Sequence, residues 1–207
     1  MNVVLYGATG KAGSRILNEL IERGHKVTAV ARNVSNLPAT VGSKQDDLKD
    51  VDKIAAIIAG ADAVVSAYGP PPDDTDQLLG VTERQIAAVK KAGNVRLIVV
   101  GGAASLEVAP GVSLLASGHV PAPWVPIATS HAKTYKLLQN SDINWTYFSP
   151  AGFFEPGKRT GKFRLGINEL ITDEKGESRI SLEDYAIALV DELEKPAHER
   201  ARFSIGY

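Results

Sequence analysis

The residues with the plainest chemistry are the first thirteen. Val3-Val4-Leu5-Tyr6 runs into Gly7-Ala8-Thr9-Gly10-Lys11-Ala12-Gly13, and a stripe of Ile16, Leu17, Leu20 and Ile21 follows at helical spacing. An apolar strand, a glycine turn and a helix in that order make a cradle for a pyrophosphate. Glycine allows the sharp turn and the close approach of backbone to phosphate, and the helix turns free N–H groups and its positive end toward the anion. The strand before and the helix after give the motif its weight, and it points to a dinucleotide. A second feature stands where the next strand, Lys26 to Val30, gives way to Ala31-Arg32. An acidic residue at that place commonly holds a ribose 2′-hydroxyl, whereas a guanidinium suits a 2′-phosphate. NADPH is therefore expected ahead of NADH; the alternative is a solvated loop charge.

Proton chemistry has fewer candidates. His131 and Tyr135 are four residues apart on an expected helix, so they share a face, with Leu138 next along it. A histidine titrates near neutrality and can donate a proton to a substrate, or it can be a hydrogen-bonded structural residue. Ser105 follows Gly101-Gly102-Ala103-Ala104 and is either a hydrogen-bond donor to substrate or nicotinamide, or a turn residue. Ser149-Pro150-Ala151-Gly152 is expected at the nicotinamide end. Phe153-Phe154 beyond it are a stacking surface for a planar substrate, or a core anchor plus a surface contact. Trp124, among Pro121, Pro123 and Pro126, lies in a loop that either closes over the site or simply makes a rigid turn.

Composition removes several classes. With 207 residues, 44% hydrophobic and 23% charged, the chain can bury a core as one domain. A formal charge of −1 and the lack of a basic run argue against nucleic acid. The absence of cysteine excludes disulfides, thiolate catalysis and iron–sulfur ligation. His25, His119, His131 and His198 show no zinc-site spacing, so no metal is expected. No stretch approaches the ~20 apolar residues of a membrane helix. The chain enters a strand at once, without room for a signal peptide, and a cytoplasmic protein is expected.

The elements that must position these groups alternate. Strands are expected at Val3–Tyr6, Lys26–Val30, Lys44-Gln45, Ala63–Ser66, Arg96–Val100 and Trp145–Phe148. Helices are expected after Gly13, over Val51–Ile58, from Thr75 or Asp76 to about Lys91, and over Ile127–Asn140. The apolar run at Arg96–Val100 suits a strand buried on both faces. This alternation predicts an α/β fold, a Rossmann-like doubly wound parallel sheet with its ligand at the carboxyl ends of the strands. Residues 1–150 form the expected dinucleotide-binding core of a single domain. Residues 151–207 read as a small C-terminal elaboration that covers substrate. It has short strands at Lys162–Leu165 and Glu169–Thr172, a capping box Ser181-Leu182-Glu183-Asp184 opening a last helix, and a final strand at Arg202–Gly206.

Taken together, Gly7 to Gly13, Val65-Ser66-Ala67-Tyr68-Gly69, Val100 to Val108 and Ser149-Pro150-Ala151 resemble the atypical short-chain dehydrogenases. They are most similar to the small bacterial NADH-flavin reductases, relatives of the NmrA-like proteins and of biliverdin-IXβ reductase. The resemblance covers the whole chain, including Phe154-Glu155-Pro156-Gly157 and Ile180 to Ala186. It implies cofactor contacts from Gly7, Thr9, Gly10, Lys11, Ala12, Arg32, Asp47, Leu48, Ser66, Ala67 and Tyr68. The adjoining Ala8, Gly69, Gly101, Ser149, Pro150 and Ala151 complete the expected lining. Asp47-Leu48 is placed at the adenine; alternatively Asp46 and Asp47 cap the following turn.

One departure from the wider pattern matters. The Tyr-x-x-x-Lys pair that protonates a nascent alkoxide in typical short-chain dehydrogenases occurs nowhere in this sequence, and the corresponding helix carries His131 instead, as in biliverdin-IXβ reductase. Hydride transfer to a flavin (FMN or FAD), a quinone or a tetrapyrrole spreads the new charge over a ring and needs no positioned acid. The expected activity is an NAD(P)H-dependent reductase of a small conjugated acceptor, in a monomer or homodimer. The alternative is a non-catalytic NADPH-sensing module of the NmrA-like type. An epimerase or dehydratase is disfavoured by the missing tyrosine.

Overall fold

The computed structural model describes residues 1–207. In chain order the elements are β1 (Asn2–Tyr6), α1 (Lys11–Glu22), β2 (Lys26–Ala31), β3 (Gly42–Gln45), α2 (Val51–Ile58) and β4 (Ala63–Ser66). Then come α3 (Gln77–Lys91), β5 (Arg96–Val100), β6 (Glu107–Ala109), β7 (Val112–Ser113), α4 (Val125–Gln139) and β8 (Trp145–Ser149). The chain closes with β9 (Phe153–Glu155), β10 (Arg164–Gly166), β11 (Arg179–Ser181), α5 (Leu182–Glu194) and β12 (Ala201–Gly206).

Eight strands form one sheet in the order β10-β12-β8-β5-β4-β1-β2-β3. Every pairing is parallel except that of β10 with β12. The Rossmann-like doubly wound expectation therefore holds, with one antiparallel strand added at an edge. The apolar strands are buried on both faces because helices cover both. On one side, Val3, Leu5, Val65, Ile98 and Phe148 pack against Ile16, Leu17 and Leu20 of α1 and Tyr185, Leu189 and Val190 of α5. On the other, Val4, Tyr6, Leu97, Val99 and Tyr147 pack against Ile54 and Ile58 of α2, Val81 and Val89 of α3 and Leu138 of α4. Alternate residues of one strand thus feed opposite cores, the period-two rule of a pleated strand.

Strand order reverses between β1 and β4, so their carboxyl ends part and leave a crevice. The turn at Gly7 and the turn at Ala67-Tyr68 face each other across it.

Three details depart from the sequence reading. Glu169–Thr172 is not a strand; it contributes a single bridge, Glu169 to Glu107. The short pairs β6–β7 and β9–β11 lie outside the main sheet. Helix α4 starts at Val125, two residues early, because Pro126 in its first turn needs no hydrogen-bond partner there. The segment after residue 150 also does more than cover: α5 packs along α1, and β12 joins the main sheet beside β8.

Candidate functional site

The glycine turn is built for close packing of strand, turn and helix. Gly7 has φ +75°, a left-handed conformation that a side chain disfavours, and a Cβ there would overlap the carbonyl of Ala67. A Cβ on Gly13 would overlap the carbonyl of Gly7 across the strand–helix junction. The Gly7 amide is pinned by the Val30 carbonyl at 3.1 Å and the Gly10 amide by the Gly7 carbonyl at 2.9 Å. Gly10 is the N-cap residue of α1 and offers no side-chain cap, and the first turn carries no acid. The leading amides of a twelve-residue helix therefore face outward with no competing carboxylate. That geometry fits a pyrophosphate.

Arg32 emerges at the end of β2, exposed, with no ion pair. Its field reaches the Tyr68 phenol together with that of Arg84: burial pushes Tyr68 up, and the two guanidinium groups pull it part of the way back. Arg84, on α3, drew no attention in the sequence, yet its Nε donates to the Leu48 carbonyl at 2.6 Å. That bond holds Leu48, a buried residue at φ +62°, under the end of β3. Asp47 is exposed. Its Oδ1 accepts the Lys49 amide at 3.3 Å, and the Lys49 ammonium, 3.2 Å from Oδ2, holds its carboxyl below the usual range. Asp47 thus caps the turn that follows it, as the alternative reading expects, and Asp50 caps α2, accepting from the amides of Asp52 and Lys53. Asp46 lies buried with Lys53 3.3 Å from its Oδ1. Ser66 is buried, Ala67 donates its amide to the Tyr6 carbonyl, and Gly69 opens the exposed loop beyond.

At the other end of the crevice, Gly101 donates to the Phe148 carbonyl at 2.8 Å, and the Gly102 amide donates to the Tyr147 hydroxyl at 3.0 Å. The same hydroxyl donates to the His131 carbonyl at 3.0 Å and lies 3.3 Å from His131 Nδ1. The Tyr147 hydroxyl is thus held among three polar partners, the Gly102 amide, the His131 carbonyl and His131 Nδ1. Burial pulls the His131 imidazole down to about 4 and pushes the Tyr147 phenol far up. At neutral pH both are uncharged. The expectation that His131 titrates near neutrality as a proton donor is thus corrected, and the cause is desolvation.

Tyr135 and Ser105 are placed differently from that expectation as well. Tyr135 does share a face with His131, its ring 5.1 Å from that of Tyr147, but it sits one helical turn further from the carboxyl ends of the strands. The Arg202 guanidinium covers it at 4.4 Å. Arg202 also donates to the carbonyl and hydroxyl of Ser105, each at 2.9 Å. Ser105 is therefore a fastening for β12. An arginine inside the apolar run of β12 is the one sequence signal for this role, and it passed unread. Ser149 is fully buried with a hydroxyl that finds no partner, and Pro150-Ala151 leads on to Gly152, whose amide donates to Ser178 Oγ. Phe154 packs on Tyr185 at 4.6 Å while Phe153 is 52% exposed beneath Arg179, the anchor-and-surface arrangement. Trp124, 64% exposed, ends a short 3₁₀ turn (Ala122–Trp124) and is the N-cap residue of α4. No cluster of side chains could hold a metal ion, and no helix is long and apolar enough to cross a membrane.

The family model described as NAD(P)H-binding matches residues 7–196. The chain belongs to the NAD(P)H-binding family. It is 42% identical over 213 residues to the uncharacterized protein YwnB of Bacillus subtilis, an alignment covering 99% of this chain and 98% of that one. Among solved structures it resembles a Bacteroides thetaiotaomicron protein named as a candidate epimerase. That match has a TM-score of 0.91 and 43% identity, covering 100% of this chain and 96% of the other. It also resembles a Streptococcus pneumoniae protein named as a candidate NADH-flavin reductase, with a TM-score of 0.90 and 35% identity over 100% and 99% of the two chains. The resemblance to atypical short-chain dehydrogenases read from the motifs is thereby upheld.

Proposed function

We propose that this protein is an NADPH-preferring reductase that passes hydride to a small conjugated acceptor, a flavin (FMN or FAD) or a quinone. The observation that supports this reading is a glycine turn with free helix amides at one end of the crevice and, at the other, an uncharged His131–Tyr147 pair that offers no ready acid. When bound, the reduced dinucleotide supplies the hydride. The chain's own residues bind and orient: the α1 amides hold the pyrophosphate, Gly7 and Gly13 let strand and helix close up beneath it, and Arg32 receives the 2′-phosphate. Asp47, Leu48, Ser66, Ala67 and Tyr68 wall the adenosine half; Gly101, Pro150 and Ala151 stand at the nicotinamide half, with Ser149 buried behind them. The His131–Tyr147 pair fixes Gly102 and so the floor of that half. Reduction of an isolated carbonyl needs an acid as the hydride arrives, whereas a flavin or quinone spreads the charge and draws its proton from water. That reaction runs in the cytoplasm, where the dinucleotide is kept reduced.

The test is NADPH oxidation by the purified protein with FMN, FAD or menadione, beside a direct measurement of NADPH binding. Acceptor-dependent oxidation well above background is expected. Tight NADPH binding without oxidation in any arm would overturn the reductase and leave a nucleotide sensor.

A further inference from the structure

Two arginines in the chain are buried, Arg96 and Arg202, and they are treated differently. Arg96 is neutralised by Glu192 in an ion pair. Arg202, 6% exposed, has no carboxylate at ion-pairing distance. Its donors go to neutral oxygens, Ser105 and Asn168, and its Nε is buried without a partner. Glu169 feels its field from further off, but that carboxylate is turned to the amides of Ile167 and Asn168. A cation taken out of water without a counter-charge is costly, so a group that persists in this state invites an anion.

A hollow adjoins it. Toward the amino ends of β8 and β12 lies a cavity of about 370 Å³, bounded by Arg200, Arg202, Gln139, Asn168 and the edges of Tyr135 and Trp145. No acidic residue lines it. It opens at the end of the sheet opposite the glycine turn, because α4 runs back from the carboxyl ends and Trp145 and Ala201 begin their strands. Two guanidinium groups, two carboxamides and two aromatic edges are the chemistry that holds a flat ring carrying an oxyanion, and the volume suits a molecule of one or two rings.

We propose that this hollow is a second binding site, separate from the dinucleotide crevice, for a small aromatic carboxylate. The carboxylate lies between Arg200 and Arg202, and the ring rests against Tyr135 and Trp145.

Trp145 is one of two tryptophans, so a Trp124→Phe background makes it the sole indole reporter beside the hollow. Para-nitrobenzoate serves as the probe and quencher, and para-nitrobenzamide as its uncharged counterpart. Saturable quenching by the carboxylate alone is expected, unaltered by saturating NADPH and at least tenfold weaker in Arg200→Gly. Arg200 is exposed and sits at φ +52°, so glycine removes the cation while relieving the backbone, and the fold persists. Equal quenching by the amide, displacement of the carboxylate by NADPH, or unchanged binding in Arg200→Gly would each overturn the site.

Discussion

At the scale of single residues, the crevice is shaped by which side chains are denied a charge and which keep one. His131 is the clearest case of denial. Its imidazole, packed under Gly102 and against Tyr147, is held at about 4 against an ordinary value of 6.5. The folded state therefore resists protonation more than the unfolded state does. The stability this contributes is complete above the unfolded value and is lost as pH falls from about 6.5 toward 4. Between pH 7 and 5 the loss from this one group is about 2 kcal/mol. Urea unfolding at the two pH values checks it: His131→Gln should remove that part of the slope, and an unchanged slope would mean the imidazole is charged in the folded protein. Arg32 is the opposite case, an exposed cation free of any acid. Arg32→Ala should raise KM for NADPH roughly tenfold or more, the worth of one or two charge-assisted hydrogen bonds, and leave KM for NADH nearly unchanged. Equal effects on the two nucleotides would remove the 2′-phosphate from that corner.

At the scale of elements, the decisive contact is that between β1 and α1. By helix propensity alone, Gly13→Ala inside α1 should stabilise the chain by about 1 kcal/mol. The contact with the Gly7 carbonyl reverses the sign, because the new methyl can be housed only by prising the helix off the strand. Gly13→Ala is expected to lower the unfolding midpoint and to abolish NADPH binding together, which calorimetry and a binding titration would show. Such an element pair is legible in sequence because strand, turn and helix are contiguous and each follows a local rule. The same is true of β2, β4, β5 and β8, whose apolar runs announce burial on both faces. What escaped the reading is what depends on distant partners. β6 with β7 and β9 with β11 have two or three residues apiece, too few to display a period. Ser105 reads either as a donor to substrate or as a turn residue because the arginine that engages it lies 97 positions away. Arg84 was overlooked for the same reason, since only the folded chain brings α3 to the Leu48 carbonyl. His131 and Tyr147 were separable in sequence, but their shared proton network, and hence the neutrality of the histidine, is a property of the packed sheet and helix.

At the scale of the whole molecule, the question is where the folding unit ends. The pattern of strands and helices up to residue 150 looks self-sufficient, and a boundary there is a natural reading of the sequence. The packing argues that it is not. Phe148 of β8 is stacked between Tyr185 of α5 at 4.1 Å and Phe203 of β12 at 3.9 Å, and the Tyr185 hydroxyl donates to the Phe148 carbonyl at 2.8 Å. Arg96, at the start of β5, is neutralised only by Glu192 of α5. α5 also covers the face that α1 shares, with Arg15 bound to Glu183 and Arg23 to Asp191 and Glu194. Cutting after residue 150 would expose Phe148, strip Arg96 of its counter-charge and open it to solvent, and uncover the apolar stripe of α1. A fragment of residues 1–150 should therefore show no cooperative thermal transition by circular dichroism and no NADPH binding. Supplying residues 151–207 as a separate chain should restore both, since the interface it completes is large and apolar. A fragment 1–150 that melts cooperatively and binds NADPH unaided would mean that α5 and β12 are an appendage to the dinucleotide-binding unit and not part of its core.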